Sequence, residues 1–153
     1  MKNYVQNNLQ KMTRVNLFEL PDFVLHISNG KNPVILQLTD TQIIDASQKR
    51  FPTRIGNEEI GYWLPTRKNE RCYNYLTEII TSVKPDLIIM TGDVVYGEFD
   101  DKGSSLTEFI EFMEKFEIPW APVFGNHDNE CTKGVDWPCQ QSERATHCIF
   151  DQK

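Results

Sequence analysis

The chain has 153 residues, 39% of them hydrophobic and 25% charged, with a formal net charge of −6. That length supports one domain with one core, in the composition of an ordinary soluble globular protein. The acidic balance argues against nucleic acid or an anionic membrane as the main partner. No apolar stretch approaches a membrane span, and Met1 to Asn8 carry no signal-peptide apolar core, so a cytoplasmic location is expected.

Residues 1–20 are polar and irregular and are expected to be loosely held. Phe23-Val24-Leu25-His26-Ile27 alternates apolar and polar, which predicts a half-buried strand with His26 on its outer side. Asn29-Gly30, followed by Asn32-Pro33, signals a turn. A hairpin then leads into Val34-Ile35-Leu36-Gln37-Leu38, a short apolar run of the kind that forms buried parallel strands.

Residues 43–69 lack clean periodicity and are expected to form an insertion at the ligand-binding edge of the sheet. They include Lys49, Arg50, Arg54, Arg67 and Lys68, together with Tyr62, Trp63 and Leu64. One reading is a lid whose arginines grip a substrate phosphate. The other, favoured for any single arginine, is a solvated loop with ordinary surface charges. The loop as a whole is the expected carrier of substrate specificity.

Cys72, Leu76, Ile79, Ile80 and Val83 follow one helical face, and Pro85 stops that helix before a second strand, Leu87-Ile88-Ile89-Met90. Ser104 or Ser105 is expected to cap a further helix with Leu106, Phe109, Ile110, Met113 and Phe116 inside. Pro119 precedes a third apolar run, Trp120 to Phe124. The order is βαβαβ. Residues 129–153 mix loop with a short helix placed within Pro138 to Ile149. None of the four cysteines forms a Cys-x-x-Cys pair. Reduced thiols are expected, the alternative being an ion held by Cys131, Cys139, His147 and Cys148.

Each of the three apolar runs is followed at once by oxygen- or nitrogen-bearing side chains. These are Thr39-Asp40-Thr41-Gln42, Thr91-Gly92-Asp93-Val94-Val95-Tyr96 and Gly125-Asn126-His127-Asp128. Ligands of open α/β sheets bind beyond the carboxyl ends of parallel strands. Two carboxylates, an amide and an imidazole are therefore expected to converge at one edge, which is a metal-site constellation.

In this order, Asp-x-Gln, Gly-Asp and Gly-Asn-His-Asp resemble the first three blocks of the calcineurin-like metallophosphoesterase superfamily, from Val34 to Asp128. The resemblance implies an α/β fold, the amino-terminal βαβαβ portion of the metallophosphoesterase sandwich, with residues 21–153 as an incomplete domain. It implies two metal ions in the complete domain and hydrolysis of phosphate mono- or diesters by metal-activated water. Asp93 would bridge the ions, Asp40 would hold the first and Asn126 the second. His127 would give a proton to the leaving group, with Asp128 as its orienting neighbour.

Gln42 stands where many family members have histidine, and it binds weakly, through water, or not at all. Tyr96 completes a purple acid phosphatase-like Gly-Asp-x-x-Tyr. It is either a phenolate ligand or an aromatic wall beside the site. Carboxylate, amide and imidazole donors suit manganese, iron, zinc or magnesium alike. The family's later metal-binding histidines have no counterpart, since His147 stands in Thr-His-Cys rather than Gly-His-x-His.

The expectation is thus a phosphoesterase fragment acting on a phosphorylated substrate, inactive by itself, with self-association through an exposed sheet edge. The alternative is a non-catalytic fragment or binding module with at most a weak metal site. A nucleotide-binding doubly wound domain is disfavoured, because neither Gly-x-Gly-x-x-Gly nor a P-loop occurs.

Overall fold

The computed structural model describes residues 23–27, 32–51, 53–98 and 101–150. The expectations for residues 1–20, the Asn29-Gly30 turn and residues 151–153 lie outside these. The chain divides into two compact units, residues 1–32 and 33–153. In the first, Phe23, Leu25 and Ile27 are half-buried while Val24 and His26 are exposed, yet these residues join no strand. The predicted alternation is present without the ladder, because alternation reports facing and not pairing.

The second unit is α/β. Strand β1 (Ile35–Leu38) is followed by β2 (Ile43–Ile44), α1 (Asn57–Ile60), α2 (Pro65–Val83), β3 (Leu87–Thr91) and β4 (Val95–Tyr96). Then come α3 (Ser104–Glu114), β5 (Trp120–Val123) and α4 (Asp136–Arg144). Strands β1, β3 and β5 form a parallel sheet with β3 in the centre, and β2 pairs parallel with β4 in a second, two-stranded sheet. In the first sheet Leu38 lies opposite Met90, and Met90 opposite Pro122. Pro122, which lacks an N–H, is accommodated because β5 lies at the edge of this three-stranded sheet.

The core lies on one face of the larger sheet. Ile88, Met90 and Trp120 pack there against Leu76 and Ile80 of α2 and Leu106, Phe109 and Met113 of α3. Burial of such side chains is worth about 1.5–3 kcal/mol each. The other face is more open, with Ile35 54% and Val123 60% exposed. The expectation of strands buried throughout therefore holds for one face only, because both long helices pack on the same side.

The stretch read as an aperiodic insertion contains β2, α1 and the first turn of α2. Two-residue strands and one-turn helices are too short to show a period. The apolar stripe of α2 is also rotated from the predicted one, with Ile79 40% and Val83 42% exposed. Asn69 takes a place on the buried side instead. Its side chain accepts the N–H of Ile44 at 3.0 Å and donates to the Ile44 carbonyl at 2.7 Å, serving the free edge of β2 as another strand would. The helix closes at Lys84, which adopts φ 51° and donates its N–H to the Ile80 carbonyl at 2.9 Å.

The predicted serine cap of α3 is absent, since the N-cap is Gly103 and no side chain caps the first turn; Asp101 braces the approach to the helix instead. This buried carboxylate accepts the Gly103 N–H and the Ser105 hydroxyl. Ser104 instead donates to Asp45 at 2.6 Å. Helix α4 begins at Asp136, two residues before the Pro138 to Ile149 stretch expected to hold a short helix, and ends at Arg144, and the chain returns to the start of β5. There Trp120 forms a parallel bridge with Cys148.

Candidate functional site

Because β1, β3 and β5 run parallel in near-level register, their carboxyl ends share one edge. Asp40 lies two residues beyond Leu38, Asp93 three beyond Met90, and Gly125 three beyond Pro122. The first two of these turns are held at both ends, since β2 and β4 begin immediately after them. Within them Asp40 donates its N–H to the Gly92 carbonyl at 3.1 Å and Gln42 donates to the Asp93 carbonyl at 3.0 Å. The Thr41 hydroxyl reaches the Val94 carbonyl at 2.7 Å.

This bend between sheets carries backbone strain. Asp40, Gln42 and Asp93 have φ values of 53°, 45° and 50°, in the left-handed region that side chains rarely adopt. Each such residue costs of order 1–3 kcal/mol. Three of the five predicted metal-site residues are strained in this way.

Two glycines let the second and third turns nest. A Cβ on Gly125 would lie 2.6 Å from the Asp93 nitrogen and 2.8 Å from its Cγ, and would also strike Oδ1. A Cβ on Gly92, at φ 108°, would meet the Gly125 Cα at 3.3 Å. The close approach brings Asp93 Oδ1 to the backbone N–H of His127 at 3.1 Å. Asn126, exposed, opens the 3-10 turn His127–Asn129.

The expectation that Asp128 orients His127 is replaced by a different pairing. Asp128 is buried and turns away to accept the N–H of Val95 at 2.9 Å and of Gly125 at 2.7 Å. Burial pushes its pKa up, the two N–H bonds pull it back, and the net shift is upward. The residue on the imidazole is Glu130, whose Oε2 lies 2.6 Å from Nδ1. The His127 ring packs on Tyr96 with centroids 4.7 Å apart.

Tyr96 is fully buried, and Trp63 meets it edge-on at 5.3 Å. Its hydroxyl bonds to Glu98 and receives a hydrogen bond from Arg54 Nη2 at 2.7 Å. Burial first, then the Glu98 carboxylate, push the phenol pKa upward. Its hydroxyl donates a hydrogen bond to Glu98 and keeps its proton, so Tyr96 is a neutral phenol in this arrangement.

Arg54 and Lys68 are basic residues of 43–69 that reach the site. Arg54 bridges Tyr96 and Glu98, the latter at 3.0 Å. Lys68 donates to the carbonyls of Thr41, at 3.3 Å, and Gln42, and lies 5.4 Å from the Trp63 ring. Burial lowers its pKa. Sequence reasoning missed Glu98, Glu130 and the anchoring role of Lys68. Glu130 carried a usable signal, since it sits three residues after His127, the spacing of facing side chains on a helical turn.

His147 lies elsewhere. Its ring and backbone bind Glu114, and its carbonyl accepts the Trp120 N–H at 3.0 Å, at the start of β5. Gly125 is five residues further along, about 16 Å at the rise of an extended chain. Cys72, Cys131 and Cys139 are free thiols.

The side chains at the edge bring two carboxylates and two amides, oxygen donors of the kind metal ions take. They make only part of a shell. Among the described residues no group of three or more His, Cys, Asp or Glu side chains is placed to hold a metal.

The chain belongs to the calcineurin-like phosphoesterase family, whose family model matches residues 33–148. That span contains every strand and every motif residue just described. It is 46% identical over 59 residues to the "Probable inactive purple acid phosphatase 28" of Arabidopsis thaliana, covering 38% of this chain and 15% of that protein. It is 38% identical over 60 residues to the same plant's "Probable inactive purple acid phosphatase 29", with 38% and 15% covered. The "Phosphatase DCR2" of Saccharomyces cerevisiae is 33% identical over 58 residues, 37% of this chain and 10% of that protein. The matches thus span a small part of each relative's length.

Proposed function

We propose that this chain carries the amino-terminal part of the active site of a metal-dependent phosphoesterase acting on phosphate mono- or diesters. The observation that carries the reading is the convergence of Asp40, Asp93, Asn126 and His127 on one sheet edge, with His127 tied to Asp93 through its backbone. Asp40, Asp93 and Asn126 would hold metal, with Gln42 as a weaker neighbour, and bound metal supplies an activated water and charge compensation for the phosphoryl oxygens. His127 holds the proton for the leaving-group oxygen. Tyr96 serves as the wall behind that imidazole, its hydroxyl being engaged by Glu98 and Arg54, and Trp63 screens it from water.

A second reading has its own support. The partial donor set and the relatives named inactive favour a non-catalytic module that retains the fold and at most a weak metal site.

Metal content and hydrolysis of a generic aryl phosphate, measured on one purified sample beside Asp93→Asn, separate the two. The catalytic reading expects bound metal that the substitution removes, with any turnover lost alongside it. Turnover that Asp93→Asn leaves intact overturns the assignment of this edge as the site. Absence of both metal and turnover leaves the second reading.

A further inference from the structure

His127 is constrained on every side but one. Its backbone N–H is held by Asp93 Oδ1 at 3.1 Å, and its carbonyl accepts the Gly97 N–H at 3.2 Å and the Glu130 N–H at 3.2 Å. A side chain on Gly97 would strike that carbonyl, so the β4 strand end approaches as closely as a glycine permits. One face of the ring rests on Tyr96. Nδ1 faces Glu130 Oε2 at 2.6 Å, and the His127 side chain is 17% exposed. Among the described residues, Nε2 has no hydrogen-bond partner.

An ionised carboxylate can only accept, so the proton between His127 and Glu130 belongs to Nδ1. We infer that Glu130 is the positioning residue of this site: it fixes His127 with hydrogen on Nδ1 and leaves Nε2 as the nitrogen that meets a substrate. A neutral imidazole in water favours the opposite tautomer, so the carboxylate makes a difference that packing alone does not. The 2.6 Å separation is that of a strong, charge-assisted contact.

The consequence for proton transfer rests on the phosphoesterase reading. An imidazolium held by Glu130 breaks its Nε2–H bond as an O–H bond forms on the leaving-group oxygen. It relaxes to a neutral ring that keeps hydrogen on Nδ1. No ring flip or tautomer exchange is then needed, and the next proton returns to the same nitrogen. Asp128, adjacent in sequence, has no part in this because both its oxygens face backbone N–H groups.

The tautomer is read directly by long-range proton–nitrogen correlation NMR on the 153-residue protein, followed to the alkaline pH at which the ring nitrogen shifts stop moving. The chain has three histidines, so the spectrum is simple. His147, whose Nδ1 lies 3.1 Å from Glu114, is an internal reference for the fold. The expected result is a protonated Nδ1 and a bare Nε2 on His127, with Glu130→Ala moving the proton toward Nε2 while His147 stays unchanged.

A wild-type His127 protonated on Nε2 overturns the inference before any variant is made, and so does a tautomer that survives Glu130→Ala. Where an aryl phosphate is turned over, Glu130→Ala lowers kcat about 10- to 100-fold with KM unchanged, below the full range for losing a general acid. Equal loss through KM overturns the positioning role. If wild type shows neither bound metal nor turnover, the phosphoesterase reading fails while the tautomer result stands by itself.

Discussion

Asp128 accepts the backbone N–H of Gly125 at 2.7 Å through Oδ2, while its Oδ1 accepts that of Val95 at 2.9 Å. One buried carboxylate thereby joins the third motif turn to the strand that follows the second. Asp128→Ala strands two donors, each costing about 1–3 kcal/mol when left unpaired in the interior. Urea unfolding should show a fall of about 2–5 kcal/mol, with a clearly smaller fall for Asp128→Asn, which keeps one acceptor oxygen. Equal losses in the two variants would mean that the hydrogen bonds are not what the site depends on.

Gly125→Ala tests the nesting of the turns. The added methyl has no space, because the atoms it meets are the Asp93 backbone nitrogen and carboxylate rather than a mobile side-chain end. Overpacking of this kind costs about 1–3 kcal/mol. The expected outcome is that loss in denaturant unfolding, together with reduced metal content. Wild-type metal binding in a destabilised Gly125→Ala protein would separate the turn from the ligand site.

Asn69→Ala tests the side chain that stands in for a neighbouring strand. It frees a buried N–H and carbonyl on Ile44, so a loss of about 1–3 kcal/mol is expected. Hydrogen exchange should quicken at the Ile44 amide, with that of Ile88 in the central strand reporting only the global change. Unchanged protection at Ile44 would refute the pairing.

The Asp45 carboxylate governs a pH dependence. Burial raises its pKa, but the hydroxyls of Ser104 and Ser47 and the N–H groups of Ser47 and Lys102 outweigh this, and the net shift is downward. A folded pKa below the unfolded one means that the unfolded chain binds more protons between the two values. Stability from this group is therefore present above about pH 3.8 and lost as pH falls through the lower, folded value. Asp45→Asn should destabilise the protein at neutral pH, and the gap from wild type should close on acidification below that window. A gap independent of pH, measured by thermal unfolding, would assign the effect to packing.

The three motif strands were legible because each is an apolar run bounded by a proline or a polar turn, and each lies within one residue of its predicted limits. The α2 and α3 helices were legible for the same reason, as long periodic segments. Strands β2 and β4 were not, since two residues carry no pattern. Their burial is decided by α2 and α3, which pack over Ile43 and Val95 from distant parts of the chain. The serine cap of α3 was misread because the hydroxyls of Ser104 and Ser105 go to Asp45 and Asp101, carboxylates outside the helix, and Gly103 takes the N-cap position.

By itself the sequence determined the residue chemistry at each strand end, and with it the family, because motif spacing is local and survives without coordinates. Only the tertiary structure decided which groups meet. The parallel register brings Asp40, Asp93 and Asn126 to one edge, and the left-handed turns aim the chain from one sheet into the next. The choice of Glu130 rather than Asp128 as the partner of His127 belongs to the fold as well. A buried N–H takes the nearest acceptor that packing supplies, and here segments some thirty residues apart supply it: Val95 finds Asp128, and the His127 N–H finds Asp93.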